Sequence, residues 1–208
     1  MFEDKYLNMN SRVHIIFCHP SKKSVSNAIK DGYINGLKNK NIEYTMTDLY
    51  ETNFNSDMSE EEYLRENNNE FSKLSEEVLR EQELINKADI LTFIFPLFWM
   101  DAPAKLVGYF SRVFTKGFKY PKDDVDEGSM KVLKQTNFLI TTGSSFEDLR
   151  RDGKIKALEV LFIQDRMAGK SKKNSMYFFS ETTYEKEKIL HNKERYAKQA
   201  EYIGRKTY

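Results

Sequence analysis

The chain has 208 residues and a mass of 24.6 kDa, which is room for one domain, 1–208, with its own core. It carries 33 Lys and Arg against 32 Asp and Glu, a net charge of +1, which excludes a nucleic-acid partner held by a strong positive field and also an acidic electron shuttle. One cysteine excludes a disulfide framework or a cysteine-built zinc site, so no metal is expected. No apolar stretch is long enough for stable membrane insertion, and the polar residues 1–11 lack a signal-peptide core, so the cytoplasm is the expected compartment.

Residues 12–18, RVHIIFC, are almost continuously apolar, as in a central parallel strand buried on both faces. A loop, HPSKK, leads to a helix with Ser24 or Ser26 as N-cap and Ala28, Ile29, Tyr33 and Leu37 on its apolar face. Residues 42–48 form the second strand. The polar tract 49–69 holds one helix start, a capping box from Ser59 to Glu62, and a longer helix runs from about Glu70 to Lys87. Residues 90–97, the most apolar stretch, are the third strand and its exit. Pro103 opens a helix with Leu106, Val107, Phe110, Val113 and Phe114 inward. A fourth strand spans 135–142, a helix 154–168, a fifth strand 175–181, and a last helix starts near Tyr184 and ends near Lys206.

Strands alternating with helices in this way predict an α/β three-layer sandwich, a five-stranded parallel sheet in the order 2-1-3-4-5. In that order ligands sit beyond the carboxyl ends of the strands at the switch point, so the loops after strands one, three and four matter most. The first loop has no G-x-G-x-x-G and no P-loop. It offers His19, Lys22, Lys23, Ser24 and Ser26 at a helix mouth, where free amides and the positive dipole end suit a phosphate. The blander reading is that the serines only cap the helix. The second loop places Phe95, Phe98 and Trp99 at a strand end, either to face a flat ligand or as core or dimer contact. The third, Thr141-Thr142-Gly143-Ser144-Ser145, lets backbone approach a ligand closely and offers amides to a ring carbonyl or developing charge. Phosphate at loop one and a planar ring between loops two and three fit a flavin.

Four stretches make this specific: His19-Pro20 with Ser24; Asp48-Leu49-Tyr50 with Phe54 and then Ser59-Glu60-Glu61-Glu62-Tyr63; Phe95-Pro96-Leu97-Phe98-Trp99 through Ala102-Pro103-Ala104 to Arg112-Val113-Phe114, Gly117-Phe118 and Tyr120; and Thr141-Thr142-Gly143. In order and spacing across about 12–145 the chain resembles the NAD(P)H:quinone oxidoreductase family of flavodoxin-like proteins. That family includes quinone reductases, azo- and nitro-compound reductases, and flavoprotein subunits of potassium-efflux systems. The final third resembles it only in its pattern of elements.

The resemblance implies that His19, Ser24, Val25 and Ser26 hold the flavin phosphate. It further implies that Pro96, Leu97, Phe98, Trp99 and Met100 line the ring, and that Thr141, Thr142, Gly143 and Ser144 support its pyrimidine edge. Thr142, Gly143 and Trp99 are the residues implied in the reaction. The implied cofactor is FMN, with FAD the alternative, and the reductant is NADPH or NADH. The acceptor is a small quinone-like molecule, reduced in a ping-pong cycle by a homodimer with 49–63 and 114–120 at its interface. Two departures stand out: Ser144 replaces a frequent second glycine, and no Tyr or His lies between Gly143 and Ser175 to relay a proton. The rival readings are a regulatory subunit on a potassium-efflux transporter, an azo- or nitro-compound reductase, and a one-electron carrier. Elsewhere, Cys18 and His14 read as core residues, His191 as solvated, Glu60 to Glu62 as a helix start obeying the dipole, and Lys170, Lys172 and Lys173 as a solvated loop or a preference for NADPH.

Overall fold

The computed structural model of the chain describes residues 11–68, 73–122, 127–182 and 186–207. The expected polar start at 1–10 and the expected helix starts at Glu70 and Tyr184 lie outside these residues. Five strands, β1 Arg12–Phe17, β2 Glu43–Asp48, β3 Ile90–Pro96, β4 Gln135–Thr141 and β5 Asn174–Phe179, form one sheet in the order β2-β1-β3-β4-β5. Every neighbouring pair is parallel.

The near-continuous apolar runs are explained by layers. β3 and β4 are buried along their whole length, and successive side chains serve opposite faces. Leu91, Phe93 and Phe95 enter one cluster, while Ile90 and Ile94 enter the other with Val13, Ile15 and Phe17. On the second face lie α1 Val25–Lys38 and α7 Lys186–Lys206. These helices approach through glycine: a Cβ on Gly32 would stand 2.2 Å from the Ala197 carbonyl oxygen, far inside contact distance. On the first face lie α3 Glu76–Lys87 and α4 Ala104–Val113, with Ile85, Leu106, Tyr109 and Phe110 in the cluster. The capping box forms at α2 Glu60–Asn68: the Glu62 amide donates to Ser59 Oγ at 3.1 Å and the Ser59 amide to Glu62 Oε2 at 2.9 Å.

The expected helix over 154–168 runs without a break from Lys154 to Arg166 but changes pitch. An additional helix, α5 Phe146–Arg151, precedes it behind an N-cap at Ser145; it is short and buries only Leu149, too little to leave a periodic signal. Gly153 at φ 71° then starts α6 Lys154–Glu159, which widens into a π-helical segment, Val160–Arg166. The wider turn sets Phe162 among Phe95, Phe110 and Phe138, at centroid separations of 5.2, 6.4 and 5.5 Å. Lys170 is half-buried, its ammonium donating to the carbonyls of Glu127 and Met130, each at 2.9 Å.

His14 is a core residue: it is fully buried, with Nδ1 2.8 Å from Thr45 Oγ1. Cys18 is buried, and loss of solvent pushes its thiol up to about 12, so it stays protonated. His191 is exposed.

Candidate functional site

A cavity of about 510 Å³ opens beyond the carboxyl ends of β1, β3 and β4, between strands that lead to opposite faces of the sheet. Its walls are His19, Lys23, Ser24, Val25 and Ser26 from the first loop and helix mouth, Pro96, Leu97, Phe98 and Trp99 from the second loop, and Thr141, Thr142 and Gly143 from the third. Thr182 and Ile189 close it from the β5–α7 side. All the residues expected at the flavin meet here except Met100 and Ser144. Met100 packs against the core cluster, and Ser144 is exposed beside the cavity.

At one end the groups fit a phosphate. Ser24 is the N-cap of α1, its Oγ accepting from the Asn27 amide at 3.0 Å, so the capping reading holds, while the hydroxyl hydrogen is left to donate outward. The Val25 and Ser26 amides find no protein acceptor among the described residues, as expected at the first turn of a helix. His19 Nδ1 accepts from the Ser21 amide at 2.9 Å, which places the hydrogen of the neutral ring on Nε2. Burial lowers the His19 pKa from its usual 6.5, so the ring is a neutral donor at pH 7. The Ser26 hydroxyl is not free for a ligand; it lies 2.8 Å from Thr141 Oγ1, in buried space. Ser26 can therefore offer its amide, while its side chain ties the helix mouth to β4.

At the other end the second loop makes a tight turn. The Phe98 amide donates to the Asp101 carbonyl at 2.8 Å and the Asp101 amide to the Phe98 carbonyl at 3.1 Å. Trp99 and Met100 between them have φ of 53° and 69°, the left-handed pattern of a type I′ turn. Phe95 is core, fully buried, so two aromatics and not three reach the cavity mouth. Trp99 is 100% exposed, which removes core packing as its role. The Trp99 and Met100 amides have no protein acceptor among the described residues. Of the three amides expected from the third loop, Thr142 donates to the Phe179 carbonyl at 2.9 Å and Ser144 to Thr142 Oγ1 at 3.2 Å. Among the described residues only the Gly143 amide of the three is without an acceptor.

Lys23, offered by the first loop, joins the wall, whereas Thr182 and Ile189 lie outside the three loops. The topology placed the β5 exit at the same edge of the sheet, but nothing in its composition marked it. Thr182 donates through its amide and its hydroxyl to the Thr142 carbonyl, each at 3.1 Å, and so braces the third loop.

A family model described as flavodoxin-like fold matches residues 11–199. A Haemophilus influenzae protein named uncharacterized NAD(P)H oxidoreductase is 34% identical over 145 residues, 69% of this chain and 70% of that protein. The NAD(P)H dehydrogenase [quinone] 1 of Cavia porcellus is 33% identical over 148 residues, 64% of this chain but 54% of its own length. This chain thus spans about half of that relative. The solved NAD(P)H:quinone oxidoreductase from Methanothermobacter marburgensis superimposes with a TM-score of 0.84 at 35% identity, covering 95% of this chain and 96% of that one.

Proposed function

The chain belongs to the flavodoxin-like fold family, and on that premise we propose that it is a flavin-dependent NAD(P)H oxidoreductase reducing quinones or related electron-poor aromatics. Its relatives are oxidoreductases by name, and the chain is an oxidoreductase enzyme. The observation that carries the flavin is the division of the cavity. Open amides at a helix mouth and the His19 ring face one end, while residues 96–99 and the open Gly143 amide face the other.

Val25, Ser26, Ser24 and His19 would hold the phosphate by charge-assisted hydrogen bonds at the positive end of α1. Pro96, Leu97, Phe98 and Trp99 would flank the ring, with the Gly143 amide toward its pyrimidine edge. Bound there, FMN, or FAD as the alternative, supplies two-electron chemistry between NAD(P)H and the acceptor. The protein contributes orientation and preorganised dipoles: Gly143 presents its amide to developing negative charge without having to reorient. Reductant and acceptor would enter in turn past Phe98 and Trp99, in a ping-pong cycle. The proposal includes a homodimer, a single domain over 1–208 and a cytoplasmic location; no helix among the described residues is long and apolar enough to cross a membrane.

The deciding experiment is purification followed by mass spectrometry of released flavin and NAD(P)H oxidation with and without a quinone. Yellow protein whose NAD(P)H oxidation depends on the acceptor is the expected result. Colourless protein that takes up neither FMN nor FAD on titration overturns the reading.

A further inference from the structure

The turn that carries Trp99 is built from residues poorly suited to it. Both central positions of a type I′ turn need positive φ, which Asn-Gly supplies without strain and a Trp-Met pair does not. Trp99 lends no packing in return, because it is fully exposed. Something outside the turn must hold it.

Asp101, the closing residue, accepts from the Ala102 amide through Oδ1 at 2.7 Å, and the same oxygen lies 3.4 Å from Arg166 Nη2. Arg166 stands at the end of the π-helical segment, 65 positions along the chain. Its guanidinium lies 4.7 Å from the Phe110 centroid and 4.6 Å from that of Phe162, so its place is fixed by cation–π packing on two core rings. Its side chain is 12% exposed, and Asp101 is its one ion-pair partner among the described residues. Nη1 is buried without a hydrogen-bond acceptor among the described residues, so Asp101 is the partner that the guanidinium's hydrogen bonding serves.

We propose that Arg166 is a positioning residue, which together with Asp101 clamps the turn over 98–101 and so holds Trp99 and the open amides of the turn at the cavity mouth. The widened π-helical turn is part of the device, because π-helical turns re-aim side chains and recur at functional sites. That the clamp matters for turnover rests on the flavoprotein reading; that it holds the turn does not.

Trp99 is the only tryptophan, so its emission reports the turn directly. Time-resolved anisotropy is measured on flavin-free protein for wild type, Arg166→Leu, Arg166→Lys, Asp101→Asn and the Arg166→Leu/Asp101→Asn pair. Arg166→Leu keeps apolar contact with both rings, and Asp101→Asn serves should it fail to fold. The amplitude of fast local motion is expected to rise about twofold in each charge-removing variant, to return toward wild type in Arg166→Lys, and to rise no further in the double variant. An unchanged decay in Asp101→Asn, or effects that add in the pair, overturns the clamp. In flavin-loaded protein, kcat/KM for a quinone is expected to fall about ten- to hundredfold in Arg166→Leu. An altered decay with unchanged kcat/KM overturns the positioning role. Protein that shows the altered decay but never takes up flavin strikes the proposed function and leaves the clamp standing.

Discussion

The hydroxyls of Ser26 and Thr141 lie 2.8 Å apart in buried space, although 115 positions separate them in the chain. One sits in the first turn of α1 and the other at the end of β4, so a single hydrogen bond ties the phosphate end of the cavity to its third loop. Removing either partner buries an unsatisfied hydroxyl, which costs about 1–3 kcal/mol. Ser26→Ala and Thr141→Val are each expected to lower stability by that much in urea unfolding. The double variant should lose less than the sum, since no orphan remains. Additive losses would show that the two hydroxyls do not depend on one another.

His19 should titrate below 6.5 in the ligand-free protein, because burial disfavours the imidazolium. The unfolded chain then binds more protons between the lowered value and 6.5, so this histidine's contribution to stability is present above 6.5 and is lost as pH falls through that window. An anion against Nε2 has the opposite effect and stabilises the imidazolium. Imidazole NMR titration is expected to show the His19 pKa moving up on addition of inorganic phosphate. No movement of His19 at saturating phosphate would remove it from the anion site.

Arg112 is 5% exposed and binds Glu62 through both nitrogens of one edge, at 2.9 and 2.6 Å, and Glu77 at 2.7 Å. Burial pushes the Glu62 carboxyl up, but the Arg112 hydrogen bonds, the Ser59 amide and the guanidinium charge outweigh it, and the net shift is below the usual 4.5. Stability from Glu62 is therefore complete above 4.5 and drains away as pH falls through the lowered value. Arg112→Leu strands two carboxylates and is expected to cost about 3–5 kcal/mol. Glu62→Gln should flatten the fall in urea midpoint below pH 4.5; a fall as steep as in wild type would assign the acid sensitivity elsewhere.

Most of the fold was legible because it rests on local regularities. The identity of β1, β3 and β4 followed from runs of apolar residues buried on two faces, and the Ser24, Ser59 and Pro103 helix starts followed from short-range capping chemistry. The order of the strands alone places His19, residues 96–99 and residues 141–143 at one edge. What escaped depends on long-range contact. Nothing near Ser26 announces Thr141, nothing near Asp101 announces Arg166, and Thr182 braces the third loop from a segment with no motif. The π-helical turn is invisible for a similar reason, because the 3.6-residue period of 154–168 fits until Phe162 must meet Phe95 and Phe138. The open amides were half legible: a loop of small residues foretold them, but the Thr142 and Ser144 amides are consumed by Phe179 and by Thr142 itself.

A homodimer is expected from the surface around α2 and the loop beyond α4, where Tyr63, Leu64, Met58 and Tyr120 are exposed. Interface cores are enriched in such side chains. Light scattering should give about twice the 24.6 kDa chain mass, and Tyr63→Lys with Leu64→Lys should shift it toward the monomer. A fully active species at the chain mass would contradict the dimer.

Trp99 separates stability from function most cleanly. With φ at 53° and its side chain fully exposed, it contributes strain and no packing. Trp99→Ala should therefore leave stability within about 0.5 kcal/mol, not the roughly 3–5 kcal/mol of a core aromatic. Trp99→Asn, which tolerates the left-handed region, should gain about 0.5–1 kcal/mol. Function should move the other way. If residues 96–99 flank a flavin, the indole lies within about 4.5–7 Å of the ring, and electron transfer from the excited indole quenches it. Flavin binding to flavin-free protein should abolish nearly all tryptophan emission, and Trp99→Phe should keep the flavin while changing turnover. Emission that survives in a fully flavin-loaded sample would mean that the ring rests against a different wall, and the roles given to Pro96, Leu97, Phe98 and Trp99 would fall together.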